Sequence, residues 1–110
     1  MAPFTEATQE KTMISKNYSK TKKSCRVTFR YTTETEVDTI QLLGEFNQWG
    51  KDGHDLKKRK DGTYSVTLSL KAGQDYRFRY LIDGNEWQND ENADNYVYNP
   101  FGTKDAVLSV

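Results

Sequence analysis

Cysteine and histidine occur once each in this chain, as Cys25 and His54. A single thiol excludes an internal disulfide and any multi-cysteine metal site. Cys25 falls in an alternating stretch, where a small buried apolar residue is the expected role. His54 stands in a polar loop without a neighbour that would make it a ligand or a base. Proline is scarce, and no stretch approaches the roughly 20 apolar residues of a membrane span. The first residues lack the apolar core of a secretion signal, so the expected compartment is the cytoplasm. A glycine-rich phosphate loop is missing, as are internal repeats and helical periodicity. With 110 residues there is room for one domain and one modest core.

Net charge is also lacking, but only in sum. Residues 1–30 hold seven basic and two acidic residues, net +5, and the remainder holds nine and fourteen, net −5. A basic arm on an acidic body can signal nucleic-acid contact. This arm has neither the arginine density nor the interleaved aromatics of such a contact. The expectation is a flexible, solvated arm over residues 1–23, with no fixed structure over 1–17 and no nucleic-acid partner.

What is abundant is aromatic: seven Tyr, five Phe and two Trp, beside many β-branched residues. Two-residue alternation recurs along the chain. Cys25, Val27, Phe29 and Tyr31 alternate with Arg26, Thr28 and Arg30. Thr39–Phe46 reads as a second strand, and the lysine-rich Leu56–Lys60 as an edge strand. Tyr64, Val66, Leu68 and Leu70 alternate with Ser65, Thr67 and Ser69, and Ala106–Val110 reads as a final strand. Turn signals about every ten residues predict an all-β fold, an antiparallel sandwich of about seven strands over residues 24–110.

The stretch Asp75–Trp87 is the most informative. Tyr76, Phe78, Tyr80 and Ile82 share one face; Arg77, Arg79 and Leu81 share the other. Asp83-Gly84 signals a hairpin. A two-residue turn pairs Ile82 with Asn85 and puts Trp87 opposite Tyr80 on the core face. A three-residue loop pairs Ile82 with Glu86 and puts Trp87 opposite Leu81 on the arginine face. One residue of slip exchanges the two faces. Trp49, in Asn47-Gln48-Trp49-Gly50 past a strand end, reads equally well as a core residue or an exposed one.

Four runs carry a family resemblance: LLGEFNQWG at 42–50, KDGTYSVTLSL at 60–70, YRFRYLIDGNEW at 76–87 and NPFGTKDAVLSV at 99–110. In this order and spacing they resemble carbohydrate-binding module family 48, the early-set domain of isoamylases and glycogen-branching enzymes. They are similar to the glycogen-binding domain of the AMP-activated protein kinase β subunit. They look closest to short bacterial proteins made of this domain alone. The resemblance implies an immunoglobulin-like sandwich that binds α-1,4-linked glucan without catalysis or cofactor. It implies sugar contacts from Trp49 and Trp87, from Arg79 before the hairpin turn, and from Phe101, Thr103 and Asp105 in the last turn. It therefore favours the three-residue hairpin loop. Two departures are visible: the hairpin is one residue longer than in the kinase domain, and Asp105 stands where an amide is expected.

Other chemistry finds less support. Glu45, Glu86, Asp90, Glu91 and Asp94 contain no spacing that fixes two carboxylates across a cleft, as a glycosidase needs. Asn89–Asp94 lacks the twelve-residue calcium-loop pattern, so no metal site is assigned. Two function classes remain. One is a glucan-binding module with exposed Trp49 and Trp87. The other is an accessory module that has lost sugar binding and packs on a glucan-metabolising enzyme, for which buried indoles are expected.

Overall fold

A computed structural model describes residues 11–33, 36–50 and 53–110. Its strands are β1 (Lys11–Tyr18), β2 (Ser24–Thr32), β3 (Ile40–Gly44), β4 (His54–Asp55), β5 (Lys57–Lys58), β6 (Tyr64–Lys71), β7 (Asp75–Ile82), β8 (Glu86–Gln88), β9 (Asn95–Tyr98) and β10 (Lys104–Ser109). One sheet has the order β1-β2-β6-β5. The other runs β4-β3-β7-β10-β9, with β8 also paired to β7. All pairs are antiparallel. The all-β sandwich therefore stands, with ten strands where about seven were expected; β4, β5 and β8 are only two or three residues long.

The alternation read from the sequence builds the core. Cys25, Val27, Phe29 and Tyr31 of β2 face Phe78, Tyr80 and Ile82 of β7, with Ile40, Leu42, Ala106 and Leu108 beside them, all buried. Phe29 and Phe78 meet edge to face at 5.4 Å, and Tyr31 and Tyr80 at 5.0 Å. Such pairs add about 0.5–1.5 kcal/mol beyond area burial. Phe46 is half-buried and packs against Phe29, Tyr76 and Phe78, closing one end of the core. Gly44 permits this closure. A Cβ there would stand 2.4 Å from the Arg77 carbonyl oxygen and 2.8 Å from the Phe78 Cβ.

The N-terminal segment needs a correction. The expectation of no fixed structure over residues 1–17 fails from Lys11 onward, because β1 pairs with β2 along its whole length, from Lys11↔Thr32 to Tyr18↔Cys25. Residues 1–10 lie outside the described residues. Ile14 packs against the core from β1, and the rest of the reason is polar. Thr12 is buried, and its hydroxyl donates to the fully buried Asp90 carboxylate at 2.6 Å. Tyr80 Oη donates to the other oxygen of Asp90 at 2.9 Å, and the Asn92 amide donates to the first at 2.7 Å. Asn92 Nδ2 donates to the Thr12 carbonyl at 2.6 Å, and Lys16 pairs with Asp94 at 2.7 Å. The acidic segment after β8 is thus a clasp for β1.

The hairpin takes the longer loop. Ile82 pairs with Glu86 and Leu81 with Trp87. Asp83 and Gly84 both hold positive φ, 52° and 73°, which Asp tolerates better than most residues. Asp83 Oδ1 also accepts from the Asp38 and Thr39 amides at 2.6 and 3.0 Å, which fixes the hairpin to the start of β3.

Candidate functional site

On β7, the two-residue period turns Arg77, Arg79 and Leu81 away from the core. The hairpin register adds Trp87 to that outer face, since Trp87 is the partner of Leu81. β8 and β10 pair with β7 along successive stretches, Tyr80–Ile82 and Asp75–Phe78 respectively. Arg79 falls at the gap between those two stretches.

Trp49 reaches the same face by a different device. After β3 the chain makes a single 3-10 turn over Glu45–Asn47. Asn47 holds it: Oδ1 accepts from the Gly44 amide at 3.0 Å, and Nδ2 donates to the Leu42 carbonyl at 2.9 Å. Gln48 and Trp49 then both enter the left-handed region, with φ of 55° and 54°. The Trp49 amide donates to the Gly44 carbonyl at 2.9 Å. Asn47 Nδ2 also lies 3.1 Å from His54 Nδ1, so the lone histidine supports this turn.

The last wall is the loop between β9 and β10. Asn99 Oδ1 accepts from the Phe101 and Thr103 amides at 3.0 and 3.2 Å. Asn99 Nδ2 donates to Thr103 Oγ1 at 2.7 Å and to Asp105 Oδ1 at 3.3 Å. Gly102, at φ 83°, turns the chain back, and Phe101 projects outward. Together these elements line an open hollow of about 380 Å³, formed by Glu45, Trp49, Arg77, Arg79, Trp87, Asn99, Pro100, Phe101 and Asp105. Trp49 is 37 %, Trp87 47 % and Phe101 90 % exposed, so three aromatic surfaces are available to a ligand.

Arg79 is held at the centre of the polar part. Its Nη2 donates to Thr103 Oγ1 at 2.7 Å and to the Lys104 carbonyl at 2.9 Å. Its Nε lies 2.9 Å from Asp105 Oδ1, but the N–H is not aimed at that oxygen, so this contact is ionic rather than an aligned hydrogen bond. The carboxylate at position 105 therefore supplies a counter-charge, while the bonds to Thr103 and Lys104 orient the arginine. Thr103 Oγ1 accepts from both Arg79 and Asn99, which leaves its own proton for an outside acceptor.

Of the six residues singled out in the sequence, Trp49, Arg79, Trp87, Phe101 and Asp105 line the hollow. Thr103 does not line it, and reaches it through Arg79 and Asn99. Four lining residues were not singled out: Glu45, Arg77, Asn99 and Pro100. Arg77 was within reach, because it shares the two-residue period of Arg79. Glu45 was not, since its placement depends on accepting the Arg77 amide at 2.8 Å across two elements.

Comparison with known families gives a match over residues 25–110 to the glycogen recognition site of AMP-activated protein kinase. The chain belongs to this family. The match spans every strand from β2 to β10 except the first residue of β2, and it includes all the residues that line the hollow. β1 precedes the matched region. No curated protein matched the chain significantly. As a glycogen-recognition domain it is a glucan-binding one in general character. No helix among the described residues is long and apolar enough to cross a membrane.

Proposed function

We propose that the chain binds α-1,4-linked glucan, as glycogen, starch or a maltooligosaccharide, by stacking glucose rings on Trp49 and Trp87. The observation that carries this reading is the presence of both indoles, partly exposed, on one hollow with Arg79 between strands at its floor. A glucose ring presents an apolar face of C–H groups and a rim of hydroxyls. A flat indole covers that face and releases water. Each stacked ring removes apolar area worth roughly 1–2 kcal/mol at about 25 cal/mol per Å². Arg79, Arg77 and the Asn99 amide line the hollow beside the hydroxyl rim, at about 1 kcal/mol for each net hydrogen bond. Association costs leave dissociation constants on the order of tens of micromolar to millimolar for short oligosaccharides.

The reading is one of binding without catalysis. Glu45 and Asp105 are the carboxylates at the hollow, and both are engaged, Glu45 by the Arg77 amide and Asp105 by Arg79 and Asn99. The accessory-module reading has buried indoles as its mark, and neither tryptophan is buried. A glucan-metabolising enzyme is compatible as a partner brought to the same polymer. A free buried thiol, Cys25, suits the reducing cytoplasm.

The test is paired. Trp49→Ala and Trp87→Ala are compared with the parent chain for retention on a glycogen affinity gel and for thermal unfolding. The expected outcome is lost retention with a melting temperature nearly unchanged for Trp87→Ala, because a half-exposed indole contributes little to folding. A stable variant that is still fully retained would refute the site.

A further inference from the structure

The outer face of the four-stranded sheet lies on the opposite side of the sandwich from the tryptophans. Strands β1, β2, β5 and β6 contain seven Lys and Arg and neither Asp nor Glu, in a chain whose net charge is zero. Register puts Arg30 opposite Ser65, Thr28 opposite Thr67 and Lys57 opposite Ser65 on the outward side. Arg59, just past β5, joins them, and its Nε donates to Ser65 Oγ at 2.7 Å. Arg30 Nη1 donates to Ser15 Oγ at 3.2 Å. Neither guanidinium has a carboxylate within salt-bridge distance among the described residues.

We propose that the hollow of about 370 Å³ bounded by Arg30, Arg59, Thr28, Thr63, Ser65 and Thr67 binds a tetrahedral oxyanion of the phosphoryl class. Among the described residues each arginine spends one N–H on a hydroxyl, so most of both planar forks remains for the anion, and such forks match phosphate oxygens in pairs. Ser65 Oγ accepts from Arg59 and keeps its proton to donate. Thr28 and Thr67, 2.9 Å apart at their hydroxyls, have one proton free between them. Among the described residues the face carries no exposed aromatic ring, which disfavours a single-stranded nucleic acid as the source of the phosphate.

Asp61 borders the same hollow and acts against an anion. The Thr63 hydroxyl and amide both donate to its Oδ1 and hold the carboxyl below its usual range, with a smaller contribution from the Arg30 charge. Asp61 is the local counter-charge when no ligand is bound, and its removal has a predictable sign.

The experiment is an amide chemical-shift titration of the full chain with inorganic phosphate and, separately, a hexose phosphate. Sodium chloride at matched ionic strength is the control. Saturable shifts are expected at Thr28, Arg30, Arg59, Thr63 and Ser65, with midpoints on the order of millimolar. Arg30→Gln and Arg59→Gln each weaken binding about tenfold, and Asp61→Asn tightens it. Trp87→Ala leaves it unchanged, which separates this site from the glucan site. A tighter midpoint for the hexose phosphate would identify a phosphate ester as the ligand; equal midpoints would identify the free anion. Shifts reproduced by chloride, or retained in Arg59→Gln, would overturn the proposal.

Discussion

Gln48 and Trp49 are two consecutive non-glycine residues in the left-handed region. That conformation costs about 1–2 kcal/mol per L-residue, and such strain gathers at functional sites. Here it lifts an indole out of the sandwich at a strand end. Gln48 is exposed and does not line the hollow. Gln48→Gly relieves the steric term at a smaller entropic cost, so stability should rise by about 0.5–1 kcal/mol. Thermal unfolding checks this, with glycogen retention expected to be unchanged. Tyr80 offers a second prediction at this scale. Burial raises its phenol well above the ordinary value, helped by the negative charge of Asp90 and the hydrogen bond to it. An unfolded tyrosine ionises near 10. The folded chain keeps this proton to higher pH, so the stability it contributes is intact below about pH 10 and declines as pH rises beyond it. In Tyr80→Phe that alkaline decline should flatten, at a cost of about 1–2 kcal/mol at neutral pH. Urea unfolding of both chains at pH 7 and pH 11 measures the difference.

Among the elements, β2, β6 and β7 were legible because their apolar residues fall on one face at a two-residue period. The longer hairpin loop was resolved by resemblance rather than by pattern, since either register satisfies Asp83-Gly84. β1 was illegible for a definite physical reason. Its inward positions are Thr12, Ile14, Lys16 and Tyr18, two of them polar, while Met13 points outward and is 60 % exposed, so the binary pattern of a strand is broken. Beside the ladder to β2 and Ile14 on the core, it is held by a buried carboxylate 78 residues away in sequence. Trp49 stayed ambiguous because its exposure depends on two left-handed residues and on Asn47, none of which spacing encodes. The clasp can be tested directly. Thr12→Val removes the hydroxyl from Asp90 Oδ1 and leaves the shape intact. It should cost about 1–3 kcal/mol, as expected when a buried charged group loses a partner. Amide exchange in β1 should accelerate more than in β7, because the clasp closes β1 specifically.

For the whole molecule, the boundary of the family match and the boundary of the folded sheet differ. The match begins at residue 25, yet the sheet begins at Lys11. A fragment of residues 24–110 would bare the long edge of β2 and leave Asp90 without Thr12. Such an edge invites pairing with another chain. The fragment should melt lower than the full chain by on the order of 10 °C or more, at about 4–8 °C per kcal/mol for a domain of this size. It should also show concentration-dependent association by light scattering.

The openness of the aromatic hollow also has a consequence for time. Trp49, Trp87 and Phe101 stand as separate walls with no lid among the described residues, so on the proposed function a bound glucan is expected to leave without waiting for a closure to open. With a dissociation constant near 0.1 mM and an association rate of about 10⁶ M⁻¹s⁻¹, each encounter lasts roughly 10 ms. On a polymer with thousands of equivalent segments, release at one segment is followed by capture at the next. On the proposed function, a domain built this way is expected to stay with the particle while holding no fixed address on it.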